Sequence, residues 1–73
     1  MPIEYVTVAS STIESVGYDP ESMTLAITFR DGREYHYYNV PASVFEGLRT
    51  ASSPGRFLDT EIKKAGYGYA RVR

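Results

Sequence analysis

Residues 23–29 alternate between apolar and polar or small side chains without a break. One face would hold Met23, Leu25, Ile27 and Phe29, and the other Thr24, Ala26 and Thr28. This period of two is typical of a β-strand with one buried face. Residues 12–18 are also rich in β-forming side chains, and the Asp-Pro-Glu-Ser run at 19–22 is typical of a turn. We therefore predict two antiparallel strands joined by this turn.

The next connection, at residues 30–32, determines which face of the sheet the following tyrosines occupy. A two-residue turn at 31–32 would pair Thr28 with Tyr35 and mix polar and apolar side chains on both faces. A three-residue loop with a left-handed glycine pairs Ile27 with Tyr35 instead and separates the two kinds of side chain. We predict the three-residue loop.

In that register Tyr35 and Tyr37 lie on the apolar face, with their hydroxyls at its rim. The opposite face carries mainly polar side chains, namely Thr24, Thr28, Glu34, His36 and Tyr38. We predict that this second face is open to water and that Glu34 is an ordinary solubilising charge.

After Pro41 the hydrophobic period changes from two to about 3.6, which indicates helices. Pro41 and Pro54 suit the first turn of a helix, Ser53 suits an N-cap, and Gly66 is a natural stop. The two apolar stripes are Val44, Phe45, Leu48 and Ala51, then Phe57, Leu58, Ile62 and Ala65.

The predicted architecture is an α+β fold in which a three-stranded antiparallel β-meander is covered on its apolar face by two C-terminal α-helices. Residues 1–73 are expected to form one domain. The sequence pattern leaves two alternative structures for each of two segments. Residues 3–8 are either a further strand or an ordered lead-in, and residues 67–73 are either a loose tail or a late edge strand.

The amino-acid composition limits the kinds of functional site that the protein can have. The 73 residues contain no cysteine and one histidine, which excludes disulfides, cysteine zinc sites and a histidine metal cluster. We therefore expect no cofactor and no metal. No apolar run approaches the roughly 20 residues that span a bilayer, so we expect a cytoplasmic protein without membrane contact. The net charge is −1, and all eight Lys and Arg residues lie from residue 30 onward.

Several spaced motifs between residues 10 and 64 together resemble the KTSC domain. These are Ser10-Ser11-x-Ile13-x-x-Val16-Gly17-Tyr18-Asp19, Leu25-x-Ile27-x-Phe29-x-x-Gly32, Tyr35-x-Tyr37-x-x-Val40-Pro41, Val44-Phe45-x-x-Leu48-x-x-Ala51-x-Ser53-x-Gly55-x-Phe57, and Ile62-Lys63. That family is named after the C-terminal region of some lysyl-tRNA synthetases and also includes small free-standing bacterial proteins. The resemblance implies a nucleic-acid-binding role, with RNA or tRNA as the partner and the Tyr35-x-Tyr37 pair as the motif of interest.

Aromatic rings stack on unpaired bases, and neighbouring cations meet phosphates. Two groups of residues have this composition. The first is Arg30, Arg33, Tyr35, His36, Tyr37 and Tyr38, and the second is Arg56, Lys63, Lys64, Tyr67 and Arg71, with Tyr69 and Arg73 nearby. With so few cations, binding is expected to be salt-sensitive and micromolar at best.

Each group also has an interpretation without a ligand. The predicted register favours Tyr35 and Tyr37 as core residues over base-stacking residues. His36 has no carboxylate or serine at a telling spacing, so we predict a solvated sheet histidine and no enzyme. A basic last turn also simply complements the dipole of a helix.

The alternative function is a protein-interaction module. A small domain can dock through an open sheet face or edge, and Tyr38 and Tyr5 are candidate anchors. Under this alternative the protein is a monomer or a weak homodimer. Steep loss of binding with added salt would favour nucleic acid, whereas salt-insensitive association would favour protein.

Overall fold

Five antiparallel strands form one sheet, and two helices separate the fourth strand from the fifth. The computed structural model describes residues 3–73. The strands are β1 (Glu4–Thr7), β2 (Ile13–Asp19), β3 (Thr24–Phe29), β4 (Glu34–Tyr37) and β5 (Tyr69–Arg71). Their order in the sheet is the order in the chain, so each strand pairs with its sequence neighbours.

The prediction of three strands was too low, because β1 and β5 extend the sheet at its two edges. The segment at 3–8 contributes β1, which pairs with β2, and the C-terminal segment contributes β5, which pairs with β4. Both open segments are therefore strands. They are only four and three residues long, so their sequences carry little periodic signal.

The three-residue loop between β3 and β4 is confirmed. Ile27 pairs with Tyr35 and Leu25 pairs with Tyr37. Gly32 has φ of +96°, a left-handed conformation that glycine adopts readily, and its N–H donates to the carbonyl of Phe29 at 3.0 Å. The exclusion of polar side chains from the apolar face thus outweighed the preference of Asp-Gly for a two-residue turn.

The two predicted helices are confirmed, with differences in detail. Helix α1 is Ala42–Thr50, and Pro41 is its N-cap residue rather than its first helical residue. Helix α2 begins as an α-helical turn, Pro54–Phe57, and continues as a π-helix, Leu58–Lys63. Ser53 occupies the N-cap position of α2 without a side-chain capping hydrogen bond. Gly66, with φ of +79°, follows the helix as predicted.

The core lies between the helices and the apolar face of the sheet. Its main members are Val8, Ile13, Val16, Leu25, Ile27, Tyr37, Val40, Leu48, Leu58 and Ile62. Full burial of an aliphatic side chain of this size contributes about 1.5 to 3 kcal/mol. Tyr18 stacks on Phe45 of α1 with ring centroids 5.4 Å apart, and its hydroxyl donates to the Val40 carbonyl at 2.5 Å.

Met23 does not belong to the core, contrary to the alternation of the sequence. It lies in the turn before β3, is 40% exposed and has φ of +55°. Its carbonyl accepts a hydrogen bond from the Val40 N–H at 2.9 Å. The alternating pattern therefore extends one residue beyond the strand itself.

Much of the second face of the sheet is buried, which corrects the prediction that this face is open to water. Thr24, Ala26, Thr28 and Glu34 are all less than 9% exposed. Tyr5 of β1 lies opposite Gly17, and Gly17 lies opposite Ala26, so two small residues leave space across the sheet. The Tyr5 side chain crosses that space, and its hydroxyl reaches Glu34 on β4.

Gly17 is expected to be essential for this arrangement. A Cβ atom at this position would lie 2.4 Å from Cγ2 of Ile3 and 2.8 Å from the backbone oxygen of Glu4. The backbone contact can be relieved only by moving β1, so we expect Gly17→Ala to lower the free energy of unfolding by about 1 to 2 kcal/mol. Urea denaturation measures this change.

Gly68→Ala is the matched control, because a Cβ there meets nothing within 4 Å and the backbone is not left-handed. We expect it to change stability by less than about 0.5 kcal/mol. Equal stability of the two variants would show that β1 does not depend on the close approach at Gly17.

Candidate functional site

A cleft of about 550 Å³ opens beside the end of α2, on the helix side of the sheet. Strands β3, β4 and β5, the β3–β4 loop and the segment that includes the end of α2 contribute its walls. The lining residues are Phe29, Arg33, Tyr35, Tyr37, Lys63, Gly66, Tyr67 and Tyr69. Five aromatic rings and two cations thus share one concave surface, which we call the aromatic cleft.

The sheet positions three of the tyrosines. Tyr35 and Tyr37 lie two residues apart on β4, and Tyr69 pairs with Tyr37 from β5, so all three side chains are on one face. The Tyr69 ring centroid is 6.0 Å from that of Tyr35 and 5.5 Å from that of Tyr37. Tyr37 is 4% exposed, whereas Tyr69 is 62% exposed. The cleft therefore combines a fixed floor with one accessible ring.

The hydroxyl groups of the cleft tyrosines have no protein partner within residues 3–73. Tyr5 and Tyr18 donate hydrogen bonds, but none is formed by the hydroxyls of Tyr35, Tyr37, Tyr67 and Tyr69. Tyr69 is exposed, and no buried side-chain oxygen within residues 3–73 lacks a partner, so the hydroxyls of Tyr35, Tyr37 and Tyr67 also reach solvent. They are available to a ligand.

Burial raises the pKa of Tyr37, and the neighbouring Tyr69, Tyr35 and Asp59 raise it further. The Tyr37 hydroxyl therefore stays protonated throughout the neutral range. A protonated phenol can both donate and accept a hydrogen bond, as the polar edge of a planar ligand requires.

The two cations of the cleft already have carboxylate partners. Arg33 Nε lies 2.8 Å from Asp31, and Lys63 Nζ lies 3.3 Å from Asp59. The Arg33 guanidinium also lies over the Phe29 ring, 5.6 Å from its centroid. Both ion pairs are about half exposed, and such pairs contribute little net energy, so an incoming anion can displace the carboxylates.

The structure brings five of the predicted nucleic-acid-binding residues together in the aromatic cleft: Arg33, Tyr35, Tyr37, Lys63 and Tyr67. Tyr37 is buried and Tyr35 half-buried, so the core interpretation is correct for both. The same rings also line the cleft. The core and surface interpretations are therefore compatible.

The other predicted residues do not line this cleft. Arg30 donates from Nε to the Ser10 carbonyl at 2.8 Å, and Arg56 lines a shallow depression beside Gly47 between the helices. Tyr38 and Lys64 are exposed outside the cleft, and Arg71 lies on β5 opposite Tyr35. His36 points to the opposite face of the sheet.

Phe29 and Tyr69 line the cleft but were not among the predicted binding residues, although Tyr69 was noted beside the second group. Phe29 was assigned to the apolar face alone. Tyr69 and Arg71 alternate with the residues between them, which is the period of a strand, but three residues are too few to identify one by pattern.

On the opposite face, Glu34 forms a hydrogen-bonded cluster that the sequence did not reveal. Its carboxylate accepts from the Tyr5 hydroxyl at 2.5 Å and contacts His36 Nε2 at 2.9 Å. Thr28 Oγ1 lies 3.4 Å away, and Arg73 Nη2 forms an ion pair at 3.1 Å. We call these residues the Glu34 cluster.

The cluster corrects two predictions. Glu34 is 7% exposed and is not a solubilising surface charge. His36 is not without a carboxylate, because Glu34 lies two residues earlier on the same face of β4. The i, i+2 spacing was visible in the sequence, but burial of the pair depends on Tyr5, which is 29 residues away.

The Glu34 cluster shifts the pKa of both its acidic partners. Burial by itself raises the pKa of Glu34, but the hydrogen bonds from Tyr5 and His36 and the charge of Arg73 bring it below its usual value. Burial, together with the hydrogen bond and charge of Glu34, raises the pKa of Tyr5 to about 12. Glu34 is therefore ionised and Tyr5 protonated at neutral pH.

The Tyr5 shift provides a direct test of the cluster. In the Glu34→Gln variant the charge is lost, so we expect the pKa of Tyr5 to fall from about 12 towards the usual value near 10. An NMR titration of the Tyr5 ring carbons measures this change. An unchanged pKa would mean that Glu34 does not contact the hydroxyl in solution.

Within residues 3–73, no group of three or more histidine, aspartate and glutamate side chains is arranged to hold a metal ion. The helices of this described region include none that is long and apolar enough to cross a membrane.

The model of the KTSC domain matches residues 9–67. The chain belongs to the KTSC domain family. The resemblance seen in the sequence motifs is thereby confirmed.

The relatives of this KTSC domain include free-standing proteins and part of an enzyme. A protein from Tsukamurella paurometabola is 48% identical over 56 residues, covering 77% of this chain and 84% of the relative. An uncharacterised protein from Stutzerimonas stutzeri is 39% identical over 67 residues, covering 92% and 94%. A lysine–tRNA ligase from a Nostoc species is 38% identical over 53 residues, covering 73% of this chain but only 9% of the ligase.

A solved structure has the same fold. The crystal structure of a KTSC domain protein from Yersinia pestis, 36% identical, superposes with a TM-score of 0.89 and covers 99% of this chain and all of the other. The matched family region ends at residue 67, so Tyr67 of the cleft lies within it and Tyr69 beyond it.

Proposed function

We propose that this KTSC domain is a non-catalytic module that binds single-stranded RNA, including unpaired segments of tRNA, through the aromatic cleft. The observation that carries the proposal is the convergence of four tyrosines with free hydroxyls and two cations on one concave surface. Stacking of a base on an aromatic side chain contributes about 1 to 3 kcal/mol and works with every base. Arg33 and Lys63 are placed to meet phosphates.

Similarity to a segment of a lysine–tRNA ligase supports tRNA as a candidate partner. An RNA-binding domain of this kind would act in the cytoplasm, where tRNA is found. The role is binding rather than catalysis, because the cleft offers rings, hydroxyls and cations and the histidine of the chain lies on the other face. Neither a cofactor nor a metal is part of the proposal.

Protein binding is a second candidate, favoured by the exposed strand β5. This edge strand carries Tyr69, which is 62% exposed, and is followed by Val72, which is 49% exposed. An unpaired edge can pair with a strand from a partner protein. It can also pair with a second copy of the chain, which would give a weak homodimer. Sedimentation at increasing protein concentration detects this association.

The proposal is tested by fluorescence anisotropy with labelled single-stranded RNA and bulk tRNA. We expect micromolar binding that weakens with added salt, although less steeply than the sequence alone predicts for nucleic acid, since only two cations line the cleft and both have carboxylate partners. Two phosphate contacts correspond to a slope of about −1.4 in log affinity against log salt. No binding at low salt would contradict the proposal, and a much steeper slope would assign binding to cations outside the cleft.

A further inference from the structure

We infer that the aromatic cleft holds one nucleotide at a time, with its base stacked on Tyr69, the edge of the base hydrogen-bonded by tyrosine hydroxyls, and its phosphate at Arg33 or Lys63. This inference rests on the proposed function and specifies what the site recognises. It applies to a nucleotide at an RNA end, to one within an unpaired segment and to a free nucleotide, because all three present the same groups.

Exposure of the rings limits the number of bases to one. Tyr69 is 62% exposed, whereas Tyr37 is 4% exposed and Phe29, Tyr35 and Tyr67 are half-buried. The ring centroids of Phe29 and Tyr35 are 5.8 Å apart with an interplanar angle of 90°, so these two rings already pack edge-to-face against each other. Tyr69 is the one ring of the five in the cleft that is exposed rather than buried or half-buried, so we assign a single stacked base to it.

The volume of the cleft also fits a single nucleotide. Its volume of about 550 Å³ lies within the roughly 300 to 1,000 Å³ typical of small-ligand sites. A base with its ribose and phosphate belongs to that size class.

The cleft is lined by tyrosine hydroxyls, which can hydrogen-bond the edge of a base, and by two cations, which can bind a phosphate. Tyr35 and Tyr37 line the floor with hydroxyls that no protein group in residues 3–73 uses. Arg33 and Lys63 belong to different walls, one in the β3–β4 loop and the other at the end of α2. Asp31 is held through Nε of Arg33, and the guanidinium has further N–H donors that can form a bidentate contact with phosphate.

The experiment titrates isotope-labelled protein separately with adenosine 5′-monophosphate, uridine 5′-monophosphate, the two nucleosides, inorganic phosphate and a six-residue single-stranded RNA. We expect the monophosphates to shift the ring signals of Tyr35, Tyr37 and Tyr69 and to displace the RNA from the same signals. Nucleosides should bind about tenfold more weakly, because the charged contact is lost. Phosphate alone should not shift the rings.

Single substitutions show which side chains contact the base and which contact the phosphate. Tyr69→Ala should abolish the ring shifts with monophosphates, whereas Tyr69→Phe, which retains the stacking ring, should keep them. Tyr38→Ala is the control, because Tyr38 is exposed outside the cleft. If Tyr69→Ala changes the fold, Tyr69→Phe and Arg33→Gln still decide the result, since Arg33→Gln should make monophosphates and nucleosides bind more alike.

Each outcome separates the inference from the proposed function. RNA binding without monophosphate binding, or with a stoichiometry of several nucleotides per cleft, would overturn the inference and leave RNA binding standing. Monophosphate binding without RNA binding would support the one-nucleotide site and overturn the RNA function. Absence of both would overturn both, and ring shifts that occur only on self-association would assign the cleft to a second copy of the chain.

Discussion

Replacement of Glu34 by glutamine is expected to lower the free energy of unfolding by about 3 kcal/mol. The carboxylate is buried and accepts from Tyr5, contacts His36 and pairs with Arg73. Glutamine has nearly the same shape, but it lacks the negative charge that pairs with Arg73, and an N–H donor group replaces one of the two acceptor oxygens. For a domain of this size the loss corresponds to a fall of more than about 10 °C in Tm.

The Glu34 cluster also contributes to the pH dependence of stability. Because the pKa of Glu34 is lower in the folded chain, its contribution is present above the unfolded value near 4.5 and is lost as pH falls through the folded value. Because the pKa of Tyr5 is raised from 10.0 to about 12, its contribution is present below pH 10 and is lost as pH rises through 12. Stability should therefore be greatest between these ranges.

Urea denaturation and thermal unfolding followed by circular dichroism measure the effect. Glu46→Gln is the matched control, since Glu46 makes a 2.6 Å ion pair with Arg49 on the exposed surface of α1. We expect that control to change stability by less than about 0.5 kcal/mol. Equal stability of the Glu34 and Glu46 variants would mean that the buried cluster does not stabilise the fold.

Tyr69→Ala is expected to weaken binding of single-stranded RNA by about 10- to 100-fold. The physical reason is the loss of the exposed stacking ring, which contributes about 1 to 3 kcal/mol per base. Tyr69 is the most exposed aromatic ring of the cleft and contacts both Tyr35 and Tyr37. Its removal therefore takes away the surface on which a base would lie.

Fluorescence anisotropy with the same labelled RNA measures the change. Tyr38→Ala, which removes an exposed ring outside the cleft, should change affinity by less than about twofold. Circular dichroism and urea denaturation establish that both variants are folded. If the two variants bound RNA equally well, the aromatic cleft would not be the binding surface.

The central hairpin was predictable because several local rules agree there. Alternation in β3, a glycine at the left-handed position of the loop and separation of polar from apolar side chains all require the same register. The helices were predictable for the same reason, because Pro41 and Pro54 precede stripes of apolar residues. The π-helical form of residues 58–63 has no sequence signal that we can identify.

The edge strands and the Glu34 cluster were not predictable, because they depend on distant contacts. The carboxylate of Glu34 meets Tyr5 across a space left by Gly17 and Ala26, and no local rule links these positions. Likewise, Tyr69 joins Tyr35 and Tyr37 only when β5 pairs with β4. The sequence therefore predicted the part of the candidate site that β4 and α2 contribute, but not the part that β5 contributes.

The most direct test of RNA binding in the aromatic cleft is a search for intermolecular nuclear Overhauser effects between labelled protein and single-stranded RNA. We expect effects between base protons and the ring protons of Tyr69, with weaker effects at Tyr35. Effects confined to residues outside the cleft, such as Tyr38 or the exposed side of α1, would contradict it.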